Sequence, residues 1–383
     1  MVFPEPPLKF PFGVRRSAFP FAAYFVFFIY LARAAYRPVR TSQPPDFAGQ
    51  TTGAPVAFAG SDCMKKYILK RILLIIPILL GVSFIVFSIL SLTPGDPARL
   101  MLGVGASEEA LNGLREELGL NRPFLTRYFD YMAGVFHGDF GISYRTKLPV
   151  FEEISVRFPV TLRLALLAIG MVTVFGILLG VLAAVKQHKI TDYILSVFAM
   201  LAASVPGFWL GLMMTLLFAL QLKWLPSYGL DSWKSYVMPV IALSLPSLAE
   251  LMRMTRSTML ETIRQDYVRT ARSKGVMERR MLLRHALKNA LMPIITVIGS
   301  NFGSLLGGAV VIETVFSLPG IGNMIVTSIR TKDVPQVMAG TMFIALMFCL
   351  VLLVVDVAYA LIDPRVRTRY ESGVKRKKEA TRA

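Results

Sequence analysis

Six apolar runs recur along this chain, the fourth of them short and the others of about 20 residues or more, the length a helix needs to cross the hydrocarbon of a bilayer. A chain of this kind has little choice of fold. Within hydrocarbon every backbone N–H and C=O needs an internal partner, and a helix supplies it. The expected architecture is therefore all-α and polytopic. The spans read as Ile72–Leu92, Leu164–Val185, Ile194–Leu220, Val237–Met252, Pro293–Ile312 and Val337–Ile362. A hydrophobic fraction of 54% excludes an ordinary soluble domain.

The loops fix an expected orientation. The link after the second run (Lys186, His188, Lys189), the segment after the fourth, and the tail at 370–383 are dense in Lys and Arg. The short loops between them are sparse, with Lys223 and Lys234 in one and Arg330 and Lys332 in the other. By the positive-inside rule both ends of the six-span unit are expected in the cytoplasm. The net charge of +18 is spread over alternating loops, which argues for membrane orientation and against nucleic acid. Residues 1–63 differ from the rest: a Pro-rich start, a short apolar run from Ala18 to Ala32, and a Pro/Gly/Ser-rich stretch. Met64, followed by Lys65, Lys66, Lys70 and Arg71, reads as the native start, with 1–63 as an extension. The rival is a genuine extra segment in or across the membrane.

Between the spans the punctuation is clear. Thr93-Pro94-Gly95-Asp96-Pro97 closes the first. The region 93–160 is too long for a hairpin. Ser107 opens a helical pattern that Gly119 stops, Phe124–Val135 is a second amphipathic piece, and Gly138-Asp139-Phe140-Gly141 is a turn. Ser204-Val205-Pro206-Gly207 predicts a kink in the third span. Trp224, Tyr228, Trp233 and Tyr236 suit a membrane interface.

The segment 253–292 is the most distinctive loop, with ten Lys or Arg residues between Arg253 and Pro293. Met259, Ile263, Tyr267 and Ala271 recur at helical spacing, Gly275 breaks the run, and Leu282, Leu283, Ala286, Leu287 and Ala290 continue a second helix into Pro293. Physics alone leaves two alternatives open: a helix lying on anionic lipid headgroups, or one that docks on another protein.

The same residues carry a resemblance. Arg269-Thr270-Ala271, three residues, Gly275 and a distal Met292-Pro293 resemble the Glu-Ala-Ala…Gly cytoplasmic signature of binding-protein-dependent ABC importer permeases. The Glu and first Ala are replaced, which is similar to the peptide-permease branch. Thr93–Pro97, Leu118-Gly119-Leu120 with Pro123, Gly138–Gly141, Phe316–Gly322 (FSLPGIG) and Leu361–Arg365 extend the likeness over Met64 to Arg369. Together they resemble the first membrane subunit of dipeptide/oligopeptide importers, a group with nickel and glutathione members.

The resemblance implies a type I importer permease fold with a core at 161–369, in the bacterial inner membrane. It implies a second homologous permease subunit, two ATPase subunits that bind ATP and Mg, and an extracytoplasmic substrate-binding protein contacted through 93–160. It implies inward transport by alternating access, with di- or oligopeptides as cargo. The short helix would couple to the ATPase through Tyr267, Arg269, Thr270, Ala271, Arg272, Lys274 and Gly275. The alternative is a membrane scaffold or enzyme whose basic loop binds lipid and which has no ATPase partner.

No G-x-x-x-x-G-K-[ST] occurs in the chain, so ATP chemistry is expected elsewhere and no cofactor is expected here. Gly299, Gly303 and Gly307 form a small-residue face for close helix packing, either within the subunit or toward a second one. Gly176, Gly180 and Ala184 repeat the theme as ordinary packing. Among charges near or inside spans, Asp356 is expected to pair with a basic residue of a neighbouring helix in preference to lining a pathway. Glu250 is expected to pair with Arg253, Glu313 to be solvated at a span end, and Arg163 to snorkel. His137, His188 and His285 fall in separate loops and Cys63 and Cys349 stand far apart, so neither a metal site nor a disulfide framework is expected.

Overall fold

The structure, a computed structural model, describes residues 60–362 apart from positions 104 and 231, with side chains over 68–357. The apolar run at 18–32, the remainder of 1–59 and the basic tail lie outside the described residues. Every regular element among those described is helical. In chain order they are α1 Gly60–Leu92, α2 Pro97–Leu102, α3 Glu108–Glu117, α4 Phe124–Phe136, α5 Val150–Val185, α6 Ile190–Ser204, α7 Gly207–Met214, α8 Lys234–Ile263, α9 Asp266–Ser273, α10 Glu278–Arg280, α11 Lys288–Val315, α12 Ile321–Thr331 and α13 Val334–Ile362. Two π-helical segments, Thr215–Gln221 and Met281–Leu287, continue α7 and join α10 to α11.

Among the described residues five stretches are long and apolar enough to cross a membrane, six if the bent pair α6–α7 with its π extension is counted as one span. The expected kink in that span is a full break of 97°. Pro206 has no N–H to give and forces Val205 to an extended conformation (φ −86°, ψ 121°), so α6 ends and α7 starts afresh. Other spans are longer than hydropathy alone marks. α5 begins at Val150 and α8 runs on to Ile263, because polar turns at their ends extend a helix that packing has already nucleated.

α8 and α11 lie in the centre. The main core joins Leu164, Ala168 and Val172 of α5 to Leu251 and Met259 of α8 and Ile294 and Leu305 of α11. Small residues set the close approaches. A methyl added at Gly180 of α5 would stand 2.7 Å from the Met252 carbonyl of α8, and one at Gly303 of α11 would stand 2.9 Å from the Phe348 ring of α13. Gly299 meets Val355 of α13 in the same way, and Gly307 is buried. α1 flanks α13, where Arg71 and Asp356 form an ion pair at 3.2 Å. That is the pairing expected for Asp356.

The segment between α1 and α5 folds against the helix ends. Ser107 caps α3 by accepting from the Ala110 N–H at 3.3 Å, and Gly119 follows it with φ 64°. α4 rests on α1 through Tyr128, whose hydroxyl meets Ser83 Oγ at 2.9 Å beside Phe84 and Phe87.

Candidate functional site

At one end of the bundle the chain leaves α8, breaks at Arg264 and Gln265, and forms the eight-residue α9. The expected grouping of Met259 and Ile263 with Tyr267 and Ala271 on one helix is corrected here. The first two complete α8, and Gln265 is extended (φ −70°, ψ 150°) between them and α9. No Gly or Pro marks that break.

α9 is anchored by one residue. Val268 is fully buried, whereas Tyr267, Arg269, Thr270, Arg272 and Lys274 are exposed and Ala271 is half-buried. The helix packs on the π segment Met281–Leu287, in which Met281 and Ala286 are fully buried. It ends in a Schellman motif. The Val276 N–H donates to the Ala271 carbonyl at 3.3 Å and the Gly275 N–H to the Arg272 carbonyl at 3.0 Å, with Gly275 at φ 77°. A side chain at Gly275 would meet nothing within 4 Å, so glycine is used there for backbone conformation and not for space. Across the turn Arg272 Nη2 donates to Glu278 Oε1 at 2.9 Å, both exposed. α9 is thus a short helix with one fully buried side chain and its polar and basic residues exposed.

The opposite end is built differently, from buried polar groups. Glu313, expected to be solvated, is fully buried near the end of α11. Its Oε2 accepts from the Gly322 N–H at 2.7 Å and the Asn323 N–H at 3.2 Å, and so caps α12, whose Ile321 N–H donates to Thr161 Oγ1 at 3.0 Å. The sequence signal was present in the Gly-x-Gly of FSLPGIG. A Cβ at Gly320 would overlap the Glu313 carboxylate, and one at Gly322 would stand 2.9 Å from its Oε2.

At the α12–α13 turn, Lys332 and Asp333 hold two separate parts of the 93–149 segment. Lys332 Nζ donates to the carbonyls of Thr93 at 2.6 Å and Gly95 at 2.8 Å. Burial draws its pKa below the ordinary lysine value, and nearby Asp96 opposes that shift. Asp333 Oδ2 accepts from Ser143 Oγ at 2.5 Å and the Arg145 N–H at 3.2 Å. Behind it Gln336 donates to Glu153 Oε2 of α5 at 2.7 Å and accepts from Ser328 Oγ at 2.6 Å, while Thr146 donates to Glu153 Oε1. Ser143, Asp333 and Gln336 are fully buried. Burial raises the pKa of neighbouring Tyr144. Sequence patterning missed this cluster because its members lie far apart in the chain.

Other expectations resolve simply. Glu250 and Arg253 are both exposed and form no ion pair, and Arg163 is exposed at its helix surface. Trp224, Tyr228 and Trp233 are exposed, as interface anchors are.

The architecture and the α9 signature can now be set beside known proteins. The family described as "Binding-protein-dependent transport system inner membrane component" matches residues 176–368, and its N-terminal counterpart matches 64–165. The glutathione transport system permease protein GsiC of Escherichia coli (strain K12) is 39% identical over 304 residues, covering 79% of this chain and 99% of the relative. The protein of the same name from Salmonella typhi is 40% identical over the same coverage. Systems of this family combine such membrane components with a partner permease, ATPase subunits and a substrate-binding protein. Two matched regions that together take in most of the described helices, and near full-length relatives, lead to one conclusion: the chain belongs to the binding-protein-dependent transport system inner membrane components, as an inner-membrane permease subunit of an ABC importer and not an enzyme.

Proposed function

We propose that α9 is the element through which this permease takes up the work of ATP hydrolysis. Both ends of the six-span unit and the 253–292 segment face the cytoplasm. The exposed side of α9, with Tyr267, Arg269, Thr270, Arg272 and Lys274, seats in a groove on an ATP-binding subunit, and Gly275 sets its angle to the helix leading into α11. The supporting observation is that α9 fully buries Val268 alone and leaves Tyr267, Arg269, Thr270, Arg272 and Lys274 exposed. Two ATPase subunits hold ATP and Mg, a second homologous permease completes the pathway, and an external binding protein meets the 93–149 segment. Closure of the ATPases moves α9, and the pathway alternates between outward and inward access.

The cargo we assign is short peptides, a chemical class that includes glutathione, the tripeptide named for the relatives. The binding protein selects the cargo, so calorimetry of the cognate binding protein with dipeptides, longer peptides and glutathione tests this part. Nickel or another non-peptide as the only ligand overturns it. Co-purification tests the coupling. An ATPase subunit is expected to accompany the wild-type chain and to be lost when Arg269 and Arg272 are both replaced by Glu. Unchanged recovery of the ATPase with that double variant overturns the docking of α9.

A further inference from the structure

An ion pair between α6 and α8, with a buried carboxylate and a half-buried guanidinium, has no part in the docking surface. Asp192, in the first turn of α6, is 3% exposed. Arg256 of α8 grips it at two points, Nε to Oδ1 at 2.7 Å and Nη2 to Oδ2 at 2.8 Å. The His188 N–H, from the turn between α5 and α6, adds a third bond to Oδ2 at 3.1 Å. One carboxylate thus fastens the α5–α6 turn and the start of α6 to the last part of α8. A planar fork against a planar carboxylate fixes orientation as well as distance.

The place of this pair matters. From Arg256 to Ile263 α8 is unbroken, and α9 starts three positions later at Asp266. Just before this stretch α5 is seated by shape, through the close approach of Gly180 to Met252 and Thr255. α6 has much less to hold it. Its apolar contact with α8 sets Leu195, Ala199 and Ala202 against Leu245, Ala249 and Met252, and Ile194, Met200 and Leu201 are more than 60% exposed. The two-point fork adds to this apolar contact a fixed orientation of α6 on α8.

We propose that Asp192 and Arg256 are positioning residues for transport, which make the α5–α6 hairpin move as one piece with α8 and α9. The proposal rests on the reading of α9 as the coupling helix. Displacement of α9 is then delivered to α6 and, across the break at Pro206, to α7.

The test uses the full importer in proteoliposomes, with Cys63 and Cys349 replaced by alanine and spin labels at Lys186→Cys and Glu261→Cys, both exposed positions. With the pair intact, the label separation is expected to be the same in the nucleotide-free and vanadate-trapped states. In D192N it should differ between them, and stimulation of ATP hydrolysis by the cognate binding protein should fall about tenfold, the scale of a close charge pair. R256K, which keeps the charge and loses the fork, should recover part of that stimulation. The D192N/R256Q double variant should be no worse than either single change. Unstimulated hydrolysis and melting temperature, measured alongside, separate this from misfolding. A separation that changes with the pair intact, or a D192N importer with unaltered separation and stimulation, overturns the proposal. A cross-link from Ser273→Cys to the ATPase keeps the two ideas apart. If it forms while the separation changes, the clamp alone fails; if it never forms, the coupling reading fails.

Discussion

Glu313 and Gly322 meet across the turn between α11 and α12, where the carboxylate accepts the glycine N–H at 2.7 Å with no water-exposed surface left on the acid. The carboxyl group is accommodated there because it faces the positive end of a helix and two backbone donors. Removing it leaves those donors unpaired away from water. Glu313→Ala is expected to cost about 1–3 kcal/mol, the scale of an unsatisfied buried donor. Glu313→Gln, which keeps a carbonyl acceptor, is expected to lose much less. Thermal unfolding in detergent checks the order, and equal melting of the two variants would contradict it.

The turn at Lys332 and Asp333 gives a graded pair of outcomes. Asp333 is fully buried and accepts from Ser143 and Arg145, so Asp333→Ala orphans a buried hydroxyl and a backbone N–H and should cost about 2–3 kcal/mol. Lys332→Met strips two carbonyls of a donor at a site nearer to water, and about 1 kcal/mol is expected. Limited proteolysis between residues 139 and 149 should quicken strongly in the first and little in the second.

At Gly275 the space is open and only φ is special. Gly275→Asn, which tolerates the left-handed region, should retain uptake, whereas Gly275→Val should lose about 1–2 kcal/mol at the turn and with it most ATP-driven uptake. Uptake by whole cells decides this. Equal uptake by the Val variant would show that the angle after α9 is immaterial.

The α11–α13 contact can be tested by overfilling and relief. Gly299→Ala places a methyl into Val355, and overpacking of this kind costs about 1–3 kcal/mol. Val355→Ala in the same chain should return much of that loss. If the double variant melts below the single one, the two residues do not share the contact.

Much of the fold was legible because its signals are local. Apolar length located the spans, Ser107 and Gly119 bounded α3, and the glycine of the Schellman motif stood out after α9. What escaped was non-local. The sequence predicts a solvated Glu313, as a carboxylate at a span end usually is, and only the folded turn brings Gly322 beneath it. The break at Gln265 has no breaker residue, so helical spacing ran straight through it. The Asp333 cluster joins residues from the 139–147 turn, α5, α12 and α13, and the Asp192–Arg256 fork joins α6 to α8. No periodicity within a single stretch could announce either one.

α5 carries a consequence of its length. Its 36 unbroken residues, Pro159 included, make a rod of about 54 Å against a hydrocarbon slab of about 30 Å. Near one tip, Glu153 is bound into the polar cluster with Gln336; near the other, Gly180 lies flush against α8, and the middle is gripped by the core at Leu164 to Val172. Held at both tips and packed along its middle, the rod ties the Glu153 cluster to the α8 contact at Gly180, so neither end can be displaced without loading the other.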